Sequence, residues 1–243
     1  MTDIFARTAL LLGKETLQKF KKATVMVVGC GAVGGYAVEA VARCGIGHLI
    51  LVDFDTVSPS NINRQLLALH STVGCKKVTV AANRVRDIAP KIKVTALDRI
   101  VNAQTADDIL SHKVDFVIDA IDSLNPKTGL IEKLLEKGIP FISSMGAALK
   151  TDPTKIKITN LDKTVECPLA FFIRKRLRRR GLSLKFPVVY SSECVADQSA
   201  IEMPEETTQT SGRVRHNMGS MATVTGIFGL MCAHYALMYI KDK

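Results

Sequence analysis

Three glycines, Gly29, Gly31 and Gly34, stand in the spacing G-x-G-x-x-G with Ala32 among them, and Asp53 follows. Glycines so spaced let backbone approach a phosphate closely, and an acidic residue about 20 positions on accepts hydrogen bonds from a ribose. A block S-N-x-N-R-Q comes next, carrying Asn61, Asn63, Arg64 and Gln65, and then G-x-x-K ending at Lys77. Arg64 and Lys77 are placed to flank a polyphosphate whose other end rests on the glycine turn. A tetrad, DAID, supplies Asp119 and Asp122. One of these can hold Mg²⁺ through oxygen while the other caps the following helix, with Ser123 beside it. Taken singly, each charged residue reads as readily as a solvated surface group. The glycine unit alone leaves open whether the nucleotide is a nicotinamide or flavin cofactor or ATP.

The elements that position these groups follow from hydrophobic periodicity. Val25–Val28 reads as a buried strand, and Ala37, Val38, Val41 and Ala42 recur at helical period. Gly45 and Gly47 end that helix, and His48 to Val52 forms a second strand ending at Asp53. Gly74 opens a helix with Lys76 and Lys77 in its first turn and Val78, Ala81, Ala82 and Val85 on its apolar face. Basic residues there oppose the helix dipole, so an anion is expected to offset them. Further strands are expected over residues 92–97, Val114–Ile118 and Ile139–Ser143, then in KIKITNL and VVYSSE. Before the first strand, Leu10, Leu11, Leu17 and Phe20 are expected to line one side of a segment broken at Gly13. Residues 217–240 are nearly all apolar. Three glycines, small polar residues and His234 dilute the run, so a helix buried in the domain or dimer core is expected rather than stable membrane insertion.

The 243 residues are 47% apolar and 23% charged, ordinary for a globular chain, but the formal charge is +10. Such a surplus points to an anionic partner, nucleic acid first. It concentrates after Pro168, a helix start, where Arg174, Lys175, Arg176, Arg178, Arg179 and Arg180 make six of seven consecutive residues basic. Like charges that dense repel, and an RNA backbone would relieve them. Six cysteines, at 30, 44, 75, 167, 194 and 232, form no C-x-x-C pair, so zinc-ribbon spacing is absent. They fit a reduced, cytoplasmic protein, and no secretory leader is evident. Cys167, near a helix start and a basic cluster, has the surroundings of an activated thiol, and Cys194 is a second candidate.

The block GCGAVGG…LVDFDTVSPSNINRQ…GCKK…DAIDS resembles the adenylating enzymes related to ubiquitin-activating enzymes and their bacterial relatives ThiF, MoeB and HesA, over roughly residues 5–160. The segment KTxxxPLA…R-x-R-L, the VVYSSE strand and the late GSMATVTGIFG stretch extend the resemblance over nearly the whole chain, to the tRNA threonylcarbamoyladenosine dehydratases. The resemblance implies an α/β, Rossmann-like adenylation fold of ThiF/MoeB type. Its sheet would be mainly parallel and flanked by helices, with an antiparallel extension in the C-terminal half. One domain would cover 1–243: an arm at 1–22, the ATP-binding part at 23–150 and a C-terminal part at 151–243. It further implies that ATP and Mg²⁺ activate the carboxylate of threonylcarbamoyladenosine in tRNA, after which a ring closes with net loss of water. Asp53 would hold the ribose, and Asn61, Asn63, Arg64 and Lys77 the phosphates. Ala32, Asp55, Gln65 and Ser123 would complete the nucleotide site, and Asp122 would sit at the metal and the reacting phosphate. Arg7 would reach into a second subunit's site, making a homodimer, with Asp122, Arg64 and Arg7 as the catalytic set. A monovalent cation, Na⁺ or K⁺, and a cysteine desulfurase or sulfur-acceptor system are further expectations of the resemblance.

Two departures matter. The paired zinc cysteines of thiol-transferring relatives are absent, which argues against adenylation of a ubiquitin-like sulfur carrier. Residues 194–216 show no clear match to that pattern; polar and low in apolar periodicity, they are expected to form a mobile loop and receive no role. Arg64, Lys77 and DAID argue against a nicotinamide-dependent oxidoreductase.

Overall fold

The computed structural model describes residues 4–194 and 218–243. The chain opens with helices α1 (Ala6–Leu12) and α2 (Lys14–Lys22), separated at Gly13 as expected. Leu17 and Phe20 are buried, but Leu10 and Leu11 are 86% and 82% exposed, so the four leucine and phenylalanine positions do not share one packed face. The break at Gly13 turns α1 away from the axis on which α2 packs.

Strand β1 (Thr24–Val28), helix α3 (Gly34–Arg43) and strand β2 (His48–Asp53) follow. After them come α4 (Lys77–Ile88), β3 (Lys93–Asp98), the short α5 (Ala106–Ile109), β4 (Phe116–Asp119), α6 (Leu124–Glu136) and β5 (Phe141–Ser144). The chain continues through β6 (Ile156–Asn160), α7 (Pro168–Arg179) and β7 (Pro187–Ser191), and ends in α8 (Ala222–Asp242). Several strands start later than their apolar runs. Before β5, Gly138 (φ +62°) ends α6 and the Ile139 N–H is spent on Leu134 O, which closes that helix, so the strand begins at Phe141.

The seven strands lie in the order β3-β2-β1-β4-β5-β7-β6, all parallel except that β6 runs antiparallel to β7. Successive residues of a strand face opposite sides, and both sides are apolar. Val25, Val27, Leu49 and Leu51 pack under α3, α4 and α8, while Met26, Val28, Ile50 and Val52 pack with residues of α6 and α7. Each such side chain, fully buried, contributes about 1.5–3 kcal/mol. Helix α8 is long and apolar enough to cross a membrane, yet Val224, Phe228, Cys232, Ala233, Ala236 and Ile240 lie in the core. The order reverses between β1 and β4, and the crevice outside the carboxyl ends of those strands is where open α/β sheets take ligands.

Candidate active site

The glycine turn joins β1 to α3 at this crevice. Gly29 has φ +92°, and a side chain there would press on Ala120 O at 2.8 Å, at the end of β4. A Cβ on Gly34 would collide with Gly29 O, so the turn can close only with glycine at both positions. Ala32 lies within the turn, half-buried, and the Gln65 side chain reaches over Gly31. The carboxylate of Asp53 sits beneath the turn, where Oδ2 accepts from Cys30 N–H (2.6 Å) and Oδ1 from Asp55 N–H (2.8 Å). Burial pushes this carboxyl above its ordinary value, against the pull of the Lys77 ammonium. A carboxylate has about four lone-pair positions, so Asp53 retains acceptor capacity for a ribose hydroxyl.

Lys77 is buried and donates to Asp55 Oδ2 at 2.8 Å. Its neighbour Lys76 donates to Phe54 O (3.0 Å) and pairs with Asp98 (3.2 Å). The anion expected to offset this basic first turn is thus partly supplied by the protein: carboxylates at the ends of β2 and β3 do it. Asn61 is buried, and its Oδ1 accepts from Ser58 N–H (3.2 Å), which shapes the loop. Asn63 donates to Ser220 O (3.1 Å), tying that loop to the start of α8. Arg64 is half-buried and donates through Nη1 to Ser60 O and Asn63 Oδ1, both at 2.8 Å.

Asp122 is exposed two residues beyond Ala120 and accepts from Ser123 Oγ (3.0 Å). It forms no ion pair with another described residue. Ser123 is the residue before α6, and no side chain caps that helix, so neither aspartate takes the capping role expected for one of them. Asp119 is instead wholly buried in a network that sequence reasoning missed. Lys127 Nζ donates to Asp119 Oδ2 and to Ile121 O, both at 2.8 Å, Ser143 Oγ donates to Asp119 Oδ2 (2.6 Å), and Ile121 N–H donates to Oδ1 (3.1 Å). The network fixes the backbone one residue before Asp122. Its signal was a lysine on the apolar face of α6, in register with Leu130, Ile131 and Leu134.

Arg7 lies away from this cluster. It is exposed on α1, and Phe5 packs over Gly45 beyond the far end of α3, a helix roughly 15 Å long by its ten residues. Within one chain, then, Arg7 and the glycine turn stand at opposite ends of α3.

The basic residues of α7 divide. Arg174 donates to Thr164 O and Oγ1, Arg176 to Asn125 Oδ1 (2.6 Å), and Arg180 pairs with Glu132. Lys175, Arg178 and Arg179 are exposed, and their side chains make no hydrogen bond or ion pair with another described residue. Arg176 also sets α7 beside the start of α6, three residues past Asp122. Cys167 is 5% exposed, too buried for a working nucleophile, and Glu166, through its hydrogen bond, pushes the exposed Cys194 thiol up. Replacing both with serine is expected to leave turnover within about twofold, read by initial rates. A loss of tenfold or more would make one of them part of the chemistry. Residues 195–217, which include nearly all of the stretch given no role, lie outside the described residues.

The ThiF family model matches residues 5–243. The chain belongs to the ThiF family. It is 39% identical over 250 residues to the tRNA threonylcarbamoyladenosine dehydratase of Bacillus subtilis (strain 168), covering 100% of this chain and 96% of that one. It is 37% identical to the enzyme of that name from Escherichia coli (strain K12), over 98% of this chain and 94% of the other. The crystal structure of the E. coli tRNA N6-threonylcarbamoyladenosine dehydratase TcdA in complex with ATP superposes with a TM-score of 0.87 at 36% identity, over 98% of this chain and 93% of that one. Within the ThiF family, the likeness to the dehydratases thus runs through β6, α7 and α8 as well as the glycine-turn half.

Proposed function

We propose that this chain is an ATP-dependent tRNA threonylcarbamoyladenosine dehydratase, acting in the cytoplasm as a single domain and as a homodimer. The observation that carries the reading is the length of the likeness, because the dehydratases are matched over essentially all of the chain. The absence of C-x-x-C pairs fits the same reading and argues against a sulfur-carrier activity.

In this reading the glycine turn and Gln65 receive the nucleotide, and Asp53 holds its ribose. Arg64, Asn63 and Lys77, with Arg7 of a second copy, neutralise the phosphates. The Lys77–Asp55 pair has to open or share its proton donors when phosphate arrives. Asp122 fits Mg²⁺ as a single exposed carboxylate at a strand end, since that ion is commonly held by one or two carboxylates with substrate phosphates and water. When bound, the ion would supply charge neutralisation at the reacting phosphate. The chain's own contribution is positioning and electrostatics. It sets the tRNA-borne carboxylate in line with the α-phosphorus so that pyrophosphate leaves, and keeps the resulting anhydride from water. A nucleophile on the same modified base then closes the ring and expels AMP.

The test is mass spectrometry of nucleosides from threonylcarbamoyladenosine-bearing tRNA incubated with the protein and ATP. Loss of one water from the modified nucleoside is expected; its absence, with pyrophosphate released only on adding a small Gly-Gly-ended protein, would move the activity to a sulfur carrier. A second expectation concerns α7. Reversing the charge of Lys175, Arg178 and Arg179 together should weaken tRNA binding and lower the salt slope by roughly 0.7–0.9 per lost phosphate contact, with ATP affinity unchanged. Filter binding across a salt series measures it.

A further inference from the structure

A cavity of about 440 Å³ opens between the turn at Leu161–Lys163 and α7, lined by Asp162, Thr164, Phe171, Arg174, Lys175 and Arg178. It is separate from the glycine-turn crevice. Its size falls in the lower part of the range for small-ligand sites, roughly 300–1,000 Å³.

The lining is an aromatic ring among cations. Phe171 is 52% exposed and stands edge-on to Phe172, itself 46% exposed, with ring centroids 5.4 Å apart and planes at 75°. Two neighbouring phenylalanines left this open are unusual, and the edge contact fixes the tilt of the Phe171 ring. Phe171, Arg174, Lys175 and Arg178 recur at helical spacing, so they share one stripe of α7. Arg174 is held by Thr164 and forms a fixed wall. Lys175 and Arg178 keep their charges for something outside the fold. Asp162, the one carboxylate of the lining, offers an acceptor.

We infer that this cavity takes one unstacked nucleotide of single-stranded RNA, with its base on the Phe171 ring and its phosphate between Lys175 and Arg178. Asp162 accepts from an exocyclic amine or a ribose hydroxyl. Cations beside an exposed aromatic face are the combination that single-stranded nucleic acid selects, because every base has a π-face and every linkage a charge. A protein docking on the two phenylalanines would leave the paired cations without purpose. The placement fits too: α7 lies against the start of α6 through Arg176 and Asn125, so a strand with one nucleotide at Asp122 passes over α7. The inference rests on the reading that the chain acts on tRNA, and names how a loop of that RNA is gripped.

The experiment is fluorescence anisotropy with an anticodon stem–loop RNA and with a fully paired RNA of equal length, in a salt series. Wild type is compared with Phe171→Leu, Phe171→Trp and Lys175→Ala/Arg178→Ala. Phe171→Leu should weaken stem–loop binding roughly 5- to 100-fold with an unchanged salt slope, and should leave duplex binding alone. Phe171→Trp should retain wild-type affinity. The Lys175→Ala/Arg178→Ala variant should lower the salt slope by about 0.7, the loss of one phosphate contact on a single strand. ATP binding, followed by thermal shift, should be the same in all, which shows that each variant is folded. If wild type binds the stem–loop and dehydrates tRNA but Phe171→Leu binds it equally, the cavity assignment is wrong and the tRNA reading stands. If Phe171→Leu changes the oligomeric mass and not RNA affinity, the aromatic pair belongs to a protein interface and the assignment is overturned. If wild type neither binds the stem–loop nor dehydrates tRNA, both fall together.

Discussion

Asp122→Ala is expected to lower kcat for dehydration by about 10²-fold or more, while the Kd for ATP moves by less than about threefold. The argument is geometric. Asp122 stands exposed at the carboxyl end of β4, touched only by Ser123 Oγ among the hydrogen bonds described for it. The turn that would receive the nucleotide is built from Gly29, Gly34 and Asp53, none of which uses Asp122. Removing the carboxylate therefore leaves the binding surface intact and takes away charge only where the reacting phosphate changes. Asp122→Asn should recover little, since an amide cannot replace the charge. Single-turnover kinetics with calorimetric ATP titration separate the two quantities. Loss of ATP affinity in parallel with turnover would place Asp122 in ground-state binding instead.

The second large effect is on stability. Lys127 and Asp119 are both fully buried and 2.8 Å apart. Removing one partner strands the other charge, which costs about 3–5 kcal/mol. Lys127→Met should thus lower Tm by roughly 6–20 °C for a chain of this size. Lys127→Met combined with Asp119→Leu should regain much of the loss, because an apolar pair of similar volume leaves no unpaired charge. The coupling is read from a double-mutant cycle of melting curves. Single and double variants melting alike would mean that the pair is not electrostatically coupled. Lys127→Met should also slow turnover beyond its effect on folding, since Nζ holds Ile121 O next to Asp122.

The sheet and the glycine turn were legible because both follow local rules. A buried parallel strand is a short apolar run, and a turn that must close on itself demands glycine at set positions. Antiparallel β6 against β7 followed only from the resemblance, since nothing in KIKITNL states its direction. The Lys127 network escaped notice because its partner lies eight residues earlier on a strand, and Ser143 comes from a different strand. The division of α7 into inward and free cations depends on Thr164, Asn125 and Glu132, which no periodicity within the helix names. Arg7 shows the limit most plainly: its residue is readable, but its separation from the turn appears only when the start of α1 is seen beyond the far end of α3.

Helix α8 lies directly behind α3. At Gly229 a side chain would run into Val33 O and come within 2.9 Å of Tyr36 Cβ. Val33 is the residue just before α3, at the end of that helix which faces the crevice. A methyl group added at position 229, buried between the two helices, would thus push the tip of α3 toward the crevice. The glycine-turn crevice has a back wall, and evolution could reshape it from behind without altering any residue of the turn itself.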